Sequence, residues 1–373
     1  MSATNPVHLA GSVLAFSVGV LAFLTVPPTL AEMPPGATKL PPGFRIELVA
    51  NVPNARAMAW GERGTLFVGS SRGSAYAVTF PATGAAKVQE VASALSTPIG
   101  VAFHAGALYI SSTSRIVRLT DIEARLANPP KPETLPVNLP SESWHGGKFI
   151  AFGPDGKLYV PQGMPCNVCE RDPDRYGVIA RMNPDGSGRE IVARGVRNSV
   201  GFDWQPGTGT LYFTDNGRDH LGDDAPPDEL NRVAKEGRSF GFPYCHGGTI
   251  ADPDFGTRHP CSQFEAPVLQ LGAHVASLGM RFYTGKQFPP EYRGAIFIAE
   301  HGSWNRSSKV GYRVAVVTLD ANGMAASYKP FAEGFWDGKV VHGRPADVLV
   351  APDGALLVSD DHAGAIYRIS YRP

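Results

Sequence analysis

The chain repeats one strand–turn–strand pattern six times. In each copy an apolar run leads into a turn that contains glycine, and a second apolar run of the Leu-Tyr-Val type follows. The copies occupy residues 57–69, 101–111, 149–160, 201–214, 280–299 and 348–359. A regular series of hairpins with further strand-like segments between them is typical of a propeller, in which each blade contacts its neighbours. The pattern therefore predicts an all-β chain that folds as a six-bladed β-propeller.

The composition agrees with one large domain built from many short strands. Of the 373 residues 43% are hydrophobic, and the 42 glycines and 33 prolines are scattered through the turns. Basic and acidic residues number 34 each, so the formal net charge is zero, and no basic patch indicates nucleic-acid binding. We assign residues 43–373 to the propeller and residues 32–42 to a Pro-rich lead-in.

The first residues of the chain resemble a secretory leader. An apolar stretch at 9–26 is broken by Pro27 and Pro28, and a small-x-small sequence follows at 29–31. These features predict a signal peptide over residues 1–31. The alternative is an uncleaved anchor, because the stretch is just long enough to span a bilayer; membrane association follows only in that case. Both interpretations place the folded part outside the cytoplasm, as a periplasmic or secreted protein.

Four cysteines are present, at positions 166, 169, 245 and 261. In an oxidising compartment four cysteines favour two disulfides, which we expect to join Cys166 to Cys169 and Cys245 to Cys261. A zinc site is the alternative. Zinc ribbons usually have a second closely spaced pair, whereas Cys245 and Cys261 are sixteen residues apart. The spacing therefore favours disulfides.

The propeller topology sorts the loops into two rims. Short Pro-Asp-Gly turns at 154–156, 184–186 and 352–354 all fall on one rim and need no function. The opposite rim receives the segments that precede each first strand and follow each second strand. These segments are rich in His, Arg and acids, and they are residues 144–147, 197–198, 215–220, 300–306, 342–345 and 360–362. The sequence thus predicts a polar functional face at the mouth of the central channel.

Several of these segments resemble a known family. The run from Trp144 to Lys148 (WHGGK) and its continuation through 152–159 are similar to the soluble aldose dehydrogenases that use pyrroloquinoline quinone (PQQ), the glucose/sorbosone dehydrogenase family. Segments 195–198, 228–231 and 241–243 resemble the family too, and the similarity runs from about residue 40 to residue 369. Segments 300–306 and 343–347 are more similar to the sorbosone branch than to the soluble glucose enzymes.

The resemblance implies a quinoprotein sugar dehydrogenase that holds PQQ on its top face, with a calcium ion bridging cofactor and protein. The substrate would be an aldose or a hydrated sugar aldehyde such as sorbosone. The histidine of the family motif corresponds to His145, which would take the proton of the C1 hydroxyl as hydride passes to the quinone. An imidazole is chemically suited to this role of general base.

The resemblance also implies which residues hold the cofactor. Arg197 and Asn198 match the family's Arg-Asn pair, and a guanidinium there would bind the anionic cofactor and stabilise charge that develops during hydride transfer. Arg344 and Arg306 are two further candidate cofactor ligands. Calcium in the family is bound by main-chain carbonyls, which correspond here to Gly217 and Arg218. The family more often has a neutral residue at the position of Arg218, whose charge is compatible with the ion if its side chain points to a cofactor carboxylate. The nearby acids Asp219, Asp223 and Asp224 are alternative oxygen ligands.

The expected partners are a small sugar and a separate electron acceptor, either a periplasmic cytochrome or a quinone. The acceptor must be separate because Glu170 follows Cys169, so the chain lacks a CxxCH haem attachment sequence there. The Cys166–Cys169 loop follows the second strand of the third blade. It is therefore expected near His145, where it would cap or narrow the sugar pocket.

Two other functions fit the same fold. A calcium-dependent lactonase would need acidic and amide side chains around a catalytic ion, whereas this rim has more His and Arg than acids. A non-catalytic secreted propeller would bind a protein or glycan on the same face. Such a binding module needs no base, so substitution of His145 would leave its binding intact.

Overall fold

The computed structural model describes residues 1–2 and 38–373. Apart from its first two residues, the predicted signal peptide lies outside the described residues, as do residues 32–37 of the predicted lead-in. Within the described residues, no helix has the length and apolar character needed to cross a bilayer.

Six four-stranded antiparallel sheets form the blades, which confirms the predicted six-bladed propeller. Strand β1 is Phe44–Asn51. Blade 1 contains β2 (Ala55–Trp60), β3 (Leu66–Ser70), β4 (Gly73–Thr79) and β5 (Lys87–Leu95). Blade 2 contains β6 (Val101–His104), β7 (Ala107–Ser112), β8 (Arg115–Leu119) and β9 (Glu133–Thr134). Blade 3 contains β10 (Ala151–Phe152), β11 (Leu158–Gln162), β12 (Val178–Met182) and β13 (Glu190–Arg194).

The remaining blades follow the same order. Blade 4 contains β14 (Gly201–Trp204), β15 (Leu211–Asp215), β16 (Pro227–Arg232) and β19 (Leu269–Ala273), with the small pair β17 (Cys245–His246) and β18 (Ile250–Ala251) inserted. Blade 5 contains β20 (Ser277–Phe282), β21 (Ile296–Glu300), β22 (Arg313–Leu319) and β23 (Ala325–Ala332). Blade 6 contains β24 (Pro345–Val350), β25 (Leu356–Asp360) and β26 (Ala365–Tyr371), and β1 is its outer strand.

Strand β1 closes the ring by pairing with the last strand of the chain. Its register with β26 runs from Phe44 opposite Tyr371 to Asn51 opposite Ala365. Phe44 also packs edge-to-face against Phe288 and Phe331 of blade 5, at ring centroid distances of 4.8 and 5.0 Å. The beginning and the end of the propeller are therefore held in one sheet, which leaves the ring without an open gap between its first and last blades.

The repeated Leu-Tyr-Val run is the second strand of each blade. All six of these strands, β3, β7, β11, β15, β21 and β25, are buried along their whole length. Both faces of such a strand are covered by neighbouring blades, so its sequence is a continuous apolar run instead of an alternating one. The first strands contact one another around the centre; β2, for example, contacts β6 and β24.

The second strands end in buried polar residues at one rim, among them Gln162, Asp215, Glu300 and Asp360. The Pro-Asp-Gly turns that start from first strands lie at the opposite ends of the blades. Gly354 in one of these turns has a φ of 87°, in the left-handed region that glycine adopts without a steric penalty. The Pro-Asp-Gly turns therefore lie on one rim of the propeller, and the polar segments lie on the other.

Both disulfides form as predicted. Cys166 is bonded to Cys169 in the loop that follows β11. Cys245 is bonded to Cys261 within the insertion of blade 4, between β16 and β19. The two covalent links lie in the loops that flank the polar rim of blades 3 and 4.

Candidate active site

A cavity of about 230 Å³ opens at the predicted functional rim. Its lining comes from the loops of blades 3, 4 and 5 and comprises His145, Arg197, Asn198, Asn216, Gly217, Asp219, Asp228, His274, Ala276, Trp304 and Asn305. Four of the residues singled out in the sequence, His145, Arg197, Asn198 and Gly217, therefore lie around one space. They are up to 72 positions apart in the chain, from 145 to 217.

His145 is held as a neutral imidazole with a defined tautomer. Its Nδ1 lies 2.7 Å from the carbonyl oxygen of Met164, so Nδ1 carries the hydrogen and Nε2 carries the lone pair. The indole Nε1 of Trp144 donates a hydrogen bond to this Nε2 at 3.1 Å. Burial, together with the positive charge of Arg197, lowers the pKa of His145 to about 3. At neutral pH the side chain is therefore a base without a proton on Nε2.

The backbone of His145 adopts a φ of 51°, in the left-handed region. For a residue with a side chain this conformation costs about 1 kcal/mol and persists where the surroundings enforce it. The hydrogen bond from the amide of Gly146 to the carbonyl of Ser143 closes the turn that contains His145. The turn and the carbonyl of Met164 together fix the direction of the imidazole.

Arg197 is almost fully buried, with 4% of its surface exposed. Its Nε donates to the main-chain oxygen of Asn167 at 2.9 Å, and its Nη2 donates to Asn167 Oδ1 at 2.9 Å and to Asp219 Oδ2 at 3.1 Å. Its Nη1 donates to the carbonyl of Asn216 at 3.2 Å. A guanidinium has five N–H donors, so one Nη1 hydrogen is left for a ligand in the cavity.

Met164 links the histidine to the arginine. Its carbonyl accepts the hydrogen bond from His145, and its amide donates to the carbonyl of Arg197 at 2.9 Å. The loop that follows β11 therefore connects the imidazole of His145 to the main chain of Arg197 through one residue.

Asp215 anchors the segment before β14 from the end of β15. Its two carboxylate oxygens accept the amides of Arg197 and Asn198, at 2.8 and 2.6 Å. Burial, and secondarily the charge of the cross-strand neighbour Glu229, raise the pKa of Asp215 to about 8. This carboxyl group positions the two predicted cofactor ligands through their backbone.

Two further buried carboxyl groups support the floor of the cavity. Asp228 accepts the amides of Gly217 and Ser277, both at 2.9 Å, and burial raises its pKa to about 6. Burial also raises the pKa of Glu229 to about 7. Nδ2 of the neighbouring Asn231 donates to Glu229 at 2.9 Å, and Oδ1 of Asn231 has no hydrogen-bond partner among the described residues.

Blade 6 repeats the same anchoring device around Arg344. The amide of Arg344 donates to Oδ1 of Asp360, the residue that ends β25, at 3.0 Å. The guanidinium donates to the carbonyls of His301 and Gly302 at 3.0 and 2.7 Å and lies 5.4 Å from the ring centre of Tyr312. It lies outside the lining of the His145 cavity and, in the part of the chain that the structure describes, makes no ion pair with a carboxylate.

Arg306, the other candidate cofactor ligand, lies in the wall of a neighbouring cavity of about 440 Å³ and not around His145. Its guanidinium donates to the carbonyl of Asp223 and pairs with Asp224.

The side chain of Arg218 is directed to the blade 4 insertion and not to the cavity. It pairs with the buried carboxylate of Asp252, which belongs to the blade 4 insertion, and with Asp254. His246 also contacts Asp252, at 2.8 Å. The insertion therefore neutralises Arg218 and turns its guanidinium away from the cavity, because a buried cation needs a close counter-charge.

The main chain at Gly217 and Arg218 has oxygens available for a cation. Neither carbonyl accepts a hydrogen bond from another described residue. No group of three or more His, Cys, Asp and Glu side chains among the described residues is spaced to hold a metal ion.

Sequence reasoning missed two residues that support the site. Asn167 binds Arg197 and Asp219, and its only sequence signal was its place between two cysteines. Lys148 ends the WHGGK run, is 2% exposed and donates from Nζ to the carbonyls of Gly146, at 2.9 Å, and Thr113. Burial lowers the pKa of Lys148 to about 8. Its signal was a lysine inside an otherwise small and apolar segment.

The profile of the glucose/sorbosone dehydrogenase family matches residues 117–368. This range includes the residues that line the cavity and the second strands of four of the six blades, β11, β15, β21 and β25. The chain belongs to the glucose/sorbosone dehydrogenase family. An uncharacterized protein of Borreliella burgdorferi is 37% identical over 346 residues, which cover 88% of this chain and 89% of that protein. The family places the chain among sugar oxidoreductases.

Several solved structures share this fold. A calcium structure of a Trichoderma reesei carbohydrate-active enzyme of family AA12 superimposes with a TM-score of 0.79 and 19% identity, covering 90% of this chain and 97% of that one. The PQQ-bound aldose sugar dehydrogenase of Streptomyces coelicolor gives a TM-score of 0.64 and 21% identity, covering 90% of this chain and all of that one (100%). At these identities the likeness establishes a common propeller fold.

Proposed function

We propose that this member of the glucose/sorbosone dehydrogenase family is a PQQ-dependent oxidoreductase that oxidises the C1 hydroxyl of an aldose or of a hydrated, sorbosone-like sugar aldehyde. The observation that carries the proposal is the neutral His145, which lines the same cavity as Arg197. Removal of a hydroxyl proton beside an anionic acceptor requires a base and a fixed cation at the same cavity.

The donor set at the rim fits PQQ, which has three carboxylates and a quinone. Arg197 has one unused N–H, and the side-chain amide of Asn198 makes no hydrogen bond to another described residue. Arg344 has no carboxylate partner among residues 38–373, so its charge is available to an anion at the same rim. Arg306 would reach the cofactor only by leaving Asp224. Arg197, Asn198 and Arg344 are therefore the proposed cofactor ligands, because guanidinium and amide groups bind carboxylates well.

The chain's own residues prepare the sugar for oxidation. His145 Nε2 would accept the proton of the C1 hydroxyl once the hydroxyl replaces the Trp144 indole as its partner. The indole of Trp304, 65% exposed, borders the cavity and offers a flat face for a sugar ring. When bound, PQQ supplies the quinone that accepts the hydride from C1. Arg197 would stabilise the negative charge that develops there.

Calcium is proposed at the carbonyl oxygens of Gly217 and Arg218. Both oxygens lack partners among the described residues, and hard carbonyl oxygens suit Ca²⁺. Asp228 holds the amide of Gly217, so it would keep this carbonyl pair in place.

An extracytoplasmic location is proposed because two disulfides suit an oxidising compartment. The reduced enzyme would then pass its electrons to a separate periplasmic acceptor, a cytochrome or a quinone. The two alternative functions for this fold are a calcium-dependent lactonase and a non-catalytic binding propeller.

Reconstitution tests the proposed function. Residues 32–373 are purified and assayed for dye reduction with a panel of aldoses and sugar aldehydes, with PQQ plus Ca²⁺ and with each omitted. We expect reduction that requires PQQ and is strengthened by Ca²⁺, and the panel then ranks the substrates. Absence of both PQQ binding and dye reduction would refute the proposal, and lactone hydrolysis in the same preparation would establish the alternative.

A further inference from the structure

The loop closed by the Cys166–Cys169 disulfide presents one residue to Arg197. Asn167 lies inside this four-residue ring, and Arg197 bonds to it twice, through the main-chain oxygen and through Oδ1. Two of the four N–H donors that Arg197 uses therefore end on a single residue of another blade. No other residue in the described part of the chain receives two bonds from this guanidinium.

Asn167 also fixes the counter-ion of Arg197. Its Oδ1 accepts the amide of Asp219 at 2.8 Å, and its Nδ2 donates to the carbonyl of Asp219 at 3.1 Å. The same side chain thus contacts both members of the buried Arg197–Asp219 ion pair. Asp219 is held from the other side by Asn305 of blade 5, at 3.0 Å. The network joins the loops of three blades around the cavity.

We propose that Asn167 is the positioning residue for Arg197, and that the Cys166–Cys169 disulfide is what holds Asn167 in that position. The inference rests on the proposed function, in which Arg197 binds the anionic cofactor. Asn167 does not line the cavity, so it acts only through the direction in which Arg197 presents its one unused N–H. The loop predicted to cap the sugar pocket thereby becomes a support for the cofactor site.

The physical reason is the conformational freedom of a long side chain. A guanidinium on three methylenes samples many rotamers, and each bond that fixes it in the binding orientation reduces the entropy lost when a ligand binds. A short covalent ring limits the freedom of the main-chain oxygen of Asn167 as well as that of its side chain. Loss of the disulfide should therefore weaken both bonds to Arg197, whereas loss of the amide should weaken one.

The test measures PQQ affinity by fluorescence titration, in Ca²⁺, for wild-type protein, Asn167→Ala and the double variant Cys166→Ser with Cys169→Ser. We expect Asn167→Ala to raise the Kd about tenfold, the effect of one charge-assisted hydrogen bond, and the cysteine variant to raise it at least as much. Adding Asn167→Ala to the cysteine variant should then change the Kd little further, since both act on the same contacts. Asn183→Ala, in a turn on the opposite rim, is the matched control and should leave the Kd unchanged.

The outcomes separate this inference from the proposed function. If the wild-type protein does not bind PQQ, the proposed function fails and this inference fails with it. If the wild-type protein binds PQQ and both loop variants bind it within twofold of wild type, the proposed function stands and the positioning role is refuted. A lowered Tm with unchanged Kd would likewise assign the loop a structural role only. Should Asn167→Ala not fold, the cysteine variant carries the same test.

Discussion

The position of His145, the proposed base, depends directly on the absence of a side chain at Gly163. A Cβ placed on Gly163 would lie 2.8 Å from the Cβ of His145 and 3.3 Å from the carbonyl oxygen of Arg197. Contacts of 2.8 Å between carbon atoms are not tolerated, so one of the two backbones would have to move. Glycine at this position therefore lets the loop after β11 pass close to both site residues.

We predict that Gly163→Ala lowers kcat about 10- to 100-fold, because a base displaced by a fraction of an ångström loses its alignment with the substrate hydroxyl. The variant is assayed with PQQ and Ca²⁺ at saturating sugar, and its Tm is measured in parallel to establish that it is folded. Full activity in the folded variant would show that the position of His145 is not set by this contact.

At the scale of elements, the blades differ in the residue that ends the second strand at the polar rim. β15 and β25 end in Asp215 and Asp360, whose carboxylates bind the amides before the first strands of the same blades. The arginines at those positions, Arg197 and Arg344, are thus carried by the same device in two blades. The repeated blade structure therefore also places two arginines at the polar rim.

The second strands could be predicted from the sequence, whereas the pairing of β1 with β26 that closes the ring could not. Each second strand is an apolar run next to a glycine turn, a signal contained within about fifteen residues. Strand β1 has alternating burial, and nothing in its sequence identifies β26 as its partner, more than 300 residues away. Pairing between distant segments depends on the whole ring and leaves no local pattern.

The same distinction applies to the site. His145 and the pair Arg197 and Asn198 could be predicted because they lie in short motifs shared with the family. Arg306 was predicted from its position in a segment, but its orientation depends on Asp223 and Asp224, some 80 positions away. The role of Asn167 likewise depends on partners 30 and 52 positions away. Hydrogen-bond partners so distant in the chain have no signature in a single sequence.

For the whole molecule, the formal net charge is zero, yet two acidic side chains, Asp215 and Glu229, are buried beneath the polar rim. Burial raises the pKa values of Asp215 and Glu229 to about 8 and about 7, so the folded protein binds protons there that the unfolded chain releases near pH 4. Protons bound preferentially by the folded state make stability fall as pH rises. The neutral His145 acts in the opposite sense, but only between pH about 3 and about 6.5.

We therefore predict that the free energy of unfolding decreases between pH 6.5 and 8, by roughly 1 to 2 kcal/mol in the protein without PQQ. The histidine contribution is nearly complete at pH 6.5, and the opposing contribution of Lys148, whose pKa is lowered to about 8, begins only at the upper end of this window. Between these limits the two carboxyl groups ionise in the folded state only at a cost. Urea unfolding at three pH values measures the slope. Glu229→Gln should flatten it, since the amide does not titrate, and a stability that is constant or rises over this range would contradict the raised pKa values.

The most direct test of the account is the turnover of His145→Ala. Reconstituted with PQQ and Ca²⁺, this variant should lose about 10²- to 10⁴-fold in kcat, the contribution of a positioned general base, while its Kd for PQQ stays within about twofold of wild type. His259→Ala is the matched control, because His259 is an exposed histidine of the blade 4 insertion that bonds to Gln263, does not line the cavity and should be dispensable. Near wild-type turnover in His145→Ala would contradict the proposed chemistry of the site.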